Sequence, residues 1–142
     1  MTAPVLVRCS LPAPPERVYD LFTRADQLVL WFCEDAESDL RPGGEIHAGW
    51  IDEDGEAWTR SGRWTELDPP FCASLEWFGA GDEVETFRFA IAPHEEGCTI
   101  SIMSPGLPPR EAVPTDVLLD AVRQGWEHTL EALAGLLRSE RP

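Results

Sequence analysis

Lysine is absent from the sequence: all 11 basic residues are arginine, against 26 acidic residues, so the formal net charge is −15. The absence of lysine excludes a lysine Schiff base and a lysine nucleophile. The excess of negative charge repels phosphate backbones and anionic lipid headgroups, and the arginines form no dense cluster that would reverse this repulsion. We therefore expect no nucleic-acid partner.

Long hydrophobic runs are also missing. No apolar run approaches the roughly 20 residues that a membrane-spanning helix requires. Residues 1–10 show neither the charged leader nor the apolar core of a signal peptide. We therefore expect a cytoplasmic protein without membrane insertion.

Motifs for metals, cofactors and catalysis are lacking as well. Cys9, Cys33, Cys72 and Cys98 are dispersed, with no Cys-x-x-Cys pair and no histidine at zinc-finger spacing. Such cysteines are typically reduced, partly buried small hydrophobic residues. No glycine-rich phosphate loop, nucleophile elbow or His-Glu-x-x-His pattern occurs. The sequence therefore predicts no metal, no cofactor and no catalytic residue.

The sequence is instead rich in apolar and aromatic residues. It is 43% hydrophobic and contains six tryptophans and six phenylalanines, which is too apolar for a disordered chain. Its 142 residues suit one domain with one core, and no internal repeat or linker divides them. We expect a single domain over residues 1–142.

The N-terminal third predicts a strand followed by two short helices. Apolar and polar residues alternate over residues 4–11, the period of a strand. Pro14-Pro15-Glu16 then predicts the start of a helix, since proline is tolerated in the first turn. Apolar residues continue on a helical face to Trp31-Phe32, with a break near residues 25–26.

Residues 37–103 predict an antiparallel meander. A tight turn at residues 39–44 comes first, in which Gly43 and Gly44 can adopt positive φ and Arg41 lies beside Asp39. We expect Gly62 to mark a bulge or bend. Short loops between consecutive strands indicate antiparallel pairing. The predicted strands cover residues 45–51, 56–67, 71–77, 83–92 and 98–104.

The last predicted element is a long helix over residues 115–138. One face of this helix is apolar over about five turns, and it carries Leu119, Val122, Trp126, Leu130, Leu133 and Leu137. A helix with a single apolar face must pack against a broad surface, and the antiparallel sheet is the candidate. We expect Trp126, Leu130 and Leu133 to be largely buried.

The order of these elements resembles a known family. Its motifs are Pro-Glu-Arg-Val-Tyr-Asp-Leu-Phe in the first helix, Leu-Val-Leu-Trp-Phe closing the second, Asp-Leu-Arg-Pro-Gly-Gly-Glu in the first turn, the segment 62–70, and Gly-Trp-Glu at 125–127. Together they resemble the activator-of-heat-shock-protein-ATPase-like branch of the START-like (SRPBCC, helix-grip) superfamily. The resemblance extends over about residues 5–137.

The resemblance implies an α+β fold. In this helix-grip fold a strongly curved antiparallel sheet, here of six or seven strands, wraps around the long C-terminal helix and leaves a cavity between them. Lipid carriers, polyketide cyclases, plant hormone receptors, oxygenase domains and co-chaperones share this fold, so the fold alone leaves the activity open.

The large apolar residues on the segments that this fold brings together are the candidates for the cavity walls. They are Trp31, Trp50, Trp58, Trp77, Phe87, Phe89, Leu119, Val122 and Trp126. Core packing is an alternative interpretation of the same residues, and both interpretations can hold. Among polar residues, His47 and Arg60 are the candidates to contact a ligand, because a mostly apolar pocket orients its ligand with few polar groups.

Three functions remain open. The first is binding of a small hydrophobic or aromatic molecule in the cavity. The second is a single-domain, co-chaperone-like interaction with a chaperone or another protein. The third is a polyketide cyclase- or dehydratase-like activity that uses His47 or a cavity carboxylate. The expected oligomeric state is a monomer or a homodimer.

Overall fold

The computed structural model describes residues 5–51, 53–78, 84–104 and 115–140, and side chains from residue 120 onward in the last range. Strand β1 (Val5–Leu11) is followed by two helices, α1 (Pro15–Thr23) and α2 (Ala25–Leu28), which confirms the predicted pair of short helices. The break falls at Arg24, whose backbone is extended while its N–H still donates to the carbonyl oxygen of Asp20. This residue separates α1 from α2.

Six further strands and a long helix complete the described chain. The predicted strands are confirmed, with bounds that differ by at most two residues. None of the helices in the described ranges is long and apolar enough to span a bilayer. The elements are β2 (Asp35–Ser38), β3 (Glu45–Ile51), β4 (Ala57–Asp68), β5 (Cys72–Phe78), β6 (Val84–His94), β7 (Gly97–Ser104) and α3 (Thr115–Ser139).

The strands of the described chain form one curved, seven-stranded antiparallel sheet in the order β1-β7-β6-β5-β4-β3-β2. Neighbours in this order are also consecutive in sequence, except that β1 pairs with β7. That pairing runs from Val5 opposite Ser104 to Leu11 opposite Cys98. It joins the first strand to the last, and thereby brings α1 and α3 to the same side of the sheet.

The turn between β2 and β3 depends on both of its glycines, for different reasons. Gly43 adopts the left-handed region at φ 84°, as predicted. Gly44 instead lacks room for a side chain, because a Cβ there would lie 2.1 Å from the carbonyl oxygen of Asp39. Arg41 Nε donates to the Asp39 carboxylate at 2.8 Å, which confirms that this pair stabilises the turn.

Gly62 is not the bulge that the sequence predicts. The register of β4 against β5 shifts between Trp64 and Glu66, so the irregularity lies two to four residues later. Gly62 has a different role: a Cβ there would lie 2.3 Å from the carbonyl oxygen of Glu76 on β5. A glycine is needed at this point because the two strands approach closely.

One face of the sheet, here called the concave face, is covered by the helices. Its buried residues alternate along each strand and include Val7, Ile46, Ala48, Trp64, Leu75, Phe89, Ile100 and Ile102. Helix α3 packs against β1 and buries Leu130, Leu133, Ala134 and Leu137.

Among the side chains of α3 that the structure describes, the buried ones lie in its second half. Leu130 and Leu133 are buried as predicted, whereas Val122 and Trp126 are half-buried and Gly125 is exposed. The expectation of a largely buried Trp126 is therefore corrected. The side chain of Leu119 lies outside the described residues.

Replacing Leu130 with alanine tests this asymmetry. Leu130 is fully buried between α3 and the sheet, so its truncation removes apolar contacts and leaves a cavity. We expect a loss of about 2–5 kcal/mol in the free energy of unfolding, measured by urea denaturation. Leu6→Ala is the control, because Leu6 is 67% exposed and its loss should change little. An unchanged urea midpoint for Leu130→Ala would show that this face of α3 is not the core face.

Candidate functional site

A continuous series of aromatic ring contacts runs across the concave face. It starts at the partly exposed Trp58, whose ring stacks on Trp50 with centroids 4.3 Å apart and an interplanar angle of 16°. The two residues are directly opposite each other in the hairpin of β3 and β4. The series continues from Trp50 through Phe32, Trp31, Phe22, Phe89 and Phe87 to Trp126.

This series joins six of the seven aromatic residues that were predicted to line the cavity. Two others, Phe22 and Phe32, are members that the prediction missed. Both are visible in the sequence as apolar positions of the two short helical segments, and Phe32 directly follows Trp31. They were missed because the helices pack on the sheet, which is a tertiary contact. The seventh predicted ring, Trp77, is buried nearby on β5.

Hydrogen bonds hold three of these indole rings in place. Trp31 Nε1 donates to the carbonyl oxygen of Leu21 at 2.7 Å, and Trp50 Nε1 donates to that of Phe32 at 2.7 Å. Trp126 Nε1 donates to Ser104 Oγ at 2.9 Å. Each bond satisfies the polar end of the ring and leaves its flat faces for apolar contact. These hydrogen bonds therefore fix the orientation of the Trp31, Trp50 and Trp126 rings.

A cleft of about 330 Å³ lies between the first half of α3 and the turn that follows α2. Its walls are Trp31, Phe32, Ala121, Val122, Gly125, Trp126 and Thr129. The Thr129 hydroxyl donates to the carbonyl oxygen of Gly125 at 2.9 Å, so its polar group is engaged within the helix. At Gly125 a Cβ would have no neighbouring atom within 4 Å. The cleft is thus open, mainly apolar, and within the size range of small-molecule sites.

An ion pair lies on the same concave face. Arg60 Nη2 donates to Glu85 Oε2 at 2.9 Å, and both side chains are 35% exposed. The guanidinium carbon of Arg60 lies 5.2 Å from the centre of the Trp77 ring, which is a cation–π distance. In register Arg60 is opposite the buried Ala48. Arg60 therefore lies on the concave face beside Trp77, and its contact with a ligand stays a prediction.

His47 lies on the other face of the sheet. Its neighbours Ile46 and Ala48 are buried on the concave face, so alternation directs His47 to the convex face. Its Nδ1 lies 2.8 Å from Ser61 Oγ, and its Nε2 lies 3.1 Å from Glu45 Oε2. The predicted placement of His47 in the cavity is therefore corrected, since adjacent positions of one strand face opposite sides.

Among the residues that the structure describes, the cleft walls contain no His, Cys, Asp or Glu. No group of three or more His, Cys, Asp or Glu residues in the described ranges is arranged to hold a metal ion. All four cysteines are free. Burial raises the pKa of the Cys98 thiol to about 11, so this thiol is protonated at neutral pH and is a poor nucleophile.

Seven antiparallel strands wrapped around a C-terminal helix define the helix-grip, START-like class of protein. Within that class, residues 12–138 match the family described as activator of Hsp90 ATPase homolog 1-like protein. The chain belongs to this family. No curated protein sequence gives a significant match.

Solved structures share the fold over nearly the whole chain. Protein CV1439 from Chromobacterium violaceum is 27% identical with a TM-score of 0.79, covering 95% of this chain and 97% of its own. Protein NE0264 from Nitrosomonas europaea is 21% identical with a TM-score of 0.78, covering 97% and 96%. The Aha1 dimer from Colwellia psychrerythraea is 17% identical with a TM-score of 0.73, covering 95% and 96%. These similarities establish the fold.

Tyr19 at the edge of the aromatic series generates a pH prediction. Its ring contacts Phe89 at 5.8 Å, and its buried hydroxyl has no hydrogen-bond partner among the described residues. Burial is the main cause that raises the pKa of Tyr19 from 10.0 to about 12. The unfolded chain therefore loses this proton first, so the contribution of Tyr19 to stability is complete below pH 10 and declines between pH 10 and about 12.

The absorbance of the phenolate measures this directly, because Tyr19 is the only tyrosine of the chain. We expect a titration midpoint near 12 for the native protein and near 10 in urea. Tyr19→Phe should be at least as stable as the wild type, since it removes a buried hydroxyl without a partner. A native midpoint near 10 would contradict the burial of this hydroxyl.

Proposed function

We propose that this protein, acting as one START-like domain, binds a small hydrophobic molecule between the concave face of the sheet and the first half of α3. The observation that carries the proposal is the open apolar cleft beside Trp31, Phe32 and Trp126. The family and its START-like fold support a ligand-binding role of this general kind.

The energetic argument rests on apolar surface that folding leaves uncovered. Trp31, Phe32, Val122 and Trp126 are only partly buried although they pack against the core. Covering such surface gains roughly 25 cal/mol per Å². Because hydrogen bonds already orient the Trp31 and Trp126 rings, a ligand would bind without having to order them.

The size of the cleft favours a small ligand. At about 330 Å³ it lies near the lower end of the range for small-molecule pockets. A flat bicyclic aromatic compound or a medium-length acyl chain fits such a space better than a two-chain lipid. We therefore use methyl 2-naphthoate and 1-decanol as neutral probes.

Two glycines of α3 provide a matched test. Gly125 lines the cleft, whereas Gly135 lies on the exposed side of the buried half, and an added Cβ meets no atom within 4 Å at either position. Gly125→Phe should fill the cleft and weaken binding of the probes by about tenfold or more, as measured by calorimetry. Gly135→Phe should leave binding unchanged while removing a helical glycine in the same way. Equal affinities for both variants would contradict a site in this cleft.

A second candidate function is interaction with a chaperone. The family description, activator of Hsp90 ATPase homolog 1-like protein, favours it. An exposed apolar rim at one end of the sheet also favours it, because such surface is common at protein interfaces. The rim consists of Ile51, Phe78 and Val84, at the same end of β3, β5 and β6 and on the convex face. The similar structure from Colwellia psychrerythraea is described as a dimer, so a second copy of the chain is the alternative occupant.

Stimulation of the ATPase of the host's own Hsp90-type chaperone tests this candidate. If the rim docks on the chaperone, Phe78→Ala should reduce stimulation severalfold, since aromatic residues are enriched at protein interfaces. Phe71→Ala is the matched control, because Phe78 is 45% and Phe71 49% exposed and Phe71 precedes β5 at the other end of the sheet. If the wild-type protein does not stimulate the chaperone ATPase at low salt, this candidate is excluded. Sedimentation velocity of the protein alone tests whether it forms a homodimer.

A further inference from the structure

We propose that Arg60 anchors the carboxylate of an acidic amphiphile, and that Glu85 occupies Arg60 only while the site is empty. This inference rests on the proposed ligand-binding function and adds the chemical class of the ligand. The half-exposed Arg60–Glu85 pair would be the polar end of the site. The pair does not line the cleft itself, but Phe87, two residues after Glu85, stacks on Trp126 of the cleft wall, so the aromatic rings connect the two.

The position of the pair within the sheet supports this assignment. Arg60 lies on β4 and Glu85 on β6, so the Arg60 side chain extends across β5 and over the Trp77 ring to reach its partner. Trp58 lies two residues before Arg60 on the same face and stacks on Trp50. At the other end, Phe87 lies two residues after Glu85 and stacks on Trp126 at 5.5 Å. The cation therefore lies between two aromatic stacks.

The bond to Glu85 leaves most of the guanidinium available. Within the described residues, only Nη2 donates a hydrogen bond, although a guanidinium carries five N–H donors in a planar fork. The guanidinium also lies over the Trp77 ring, 5.2 Å from its centre. A single-point, half-exposed ion pair contributes little and exchanges readily. A ligand carboxylate that bonds to two nitrogens would form the stronger pair.

The Arg60 cation favours an anionic head group, such as a carboxylate, over an ammonium group. An ammonium group drawn to Glu85 would lie within a few ångströms of the Arg60 cation and be repelled. The protein's net charge of −15 acts against an anion at long range. However, physiological salt screens exposed charges beyond about 8 Å, so the local cation dominates. A flat or acyl body can then lie along the rings that flank Arg60.

Matched acids and neutral partners test the inference by calorimetry. The probes are 2-naphthoate against methyl 2-naphthoate, and decanoate against 1-decanol. The wild type should bind each acid more tightly than its neutral partner, and only the acids should lose affinity as salt is raised. Arg60→Gln should weaken acid binding by about tenfold and change neutral binding by less than about twofold.

The Glu85→Gln variant shows whether Glu85 competes with the ligand for Arg60 or helps to bind the ligand. If Glu85 competes with the ligand, its neutralisation should strengthen acid binding by about threefold or more. Arg63→Gln is the control, because Arg63 pairs with Glu76 at 3.1 Å and is also on β4, but its odd-numbered position places it on the opposite face from Arg60. This control should leave every affinity unchanged.

Several results would overturn the inference. The inference fails if the acids bind no more tightly than their neutral partners. It also fails if Glu85→Gln weakens acid binding as Arg60→Gln does. If, in either case, the neutral probes still bind the wild type and bind Gly125→Phe less tightly, the proposed function stands, and only the assignment of a carboxylate to Arg60 fails. If no probe binds the wild type, the ligand-binding function and this inference fail together.

Discussion

The packing of the second half of α3 against β1 is the constraint on which the candidate site depends. Leu130, Leu133 and Leu137 are buried there. Arg17 of α1 adds a two-point bond to the Glu140 carboxylate, at 3.0 Å from Nε and 2.6 Å from Nη2. Because a helix is a stiff rod, fixing its second half also sets the direction of its first half. The cleft beside Trp126 exists because that first half is held away from the turn after α2.

The two faces of the sheet use the same kinds of polar pair in different surroundings. On the convex face, Arg63 pairs with the partly buried Glu76, and Arg88 pairs with Glu66 at exposed positions, where such pairs contribute little to stability. On the concave face, the Arg60–Glu85 pair is half-exposed and contacts the Trp77 ring. All three pairs join an arginine to a glutamate. The Arg60–Glu85 pair is the candidate for ligand recognition because aromatic rings surround it.

The aromatic series serves the core and the candidate site at once. Phe89 is buried and contacts both Tyr19 and Phe22, so it belongs to the core. Trp58 and Trp126, at the two ends of the series, are partly exposed. The buried rings in the middle of the series thus belong to the core, whereas the rings at its ends remain accessible. Core packing and ligand binding are therefore compatible interpretations of different members of one series.

Local patterns in the sequence determined much of the fold. Period-two alternation and turn residues located the strands, and the three- and four-residue spacing of apolar residues located α3. The turn at Gly43 could also be predicted from the sequence, because positive φ is a local property of the chain. Each of these features depends on residues that are close in sequence.

Tertiary structure decided which residues meet. A strand pattern has two equivalent faces, so only the packing of the helices showed that Arg60 lies inward and His47 outward. The partial exposure of Trp126 depends on the angle of α3, and the requirement for Gly62 depends on the approach of Glu76 from another strand. The sequence by itself determined the elements and the aromatic content, whereas the site arose from distances between segments far apart in the chain, which no local pattern encodes.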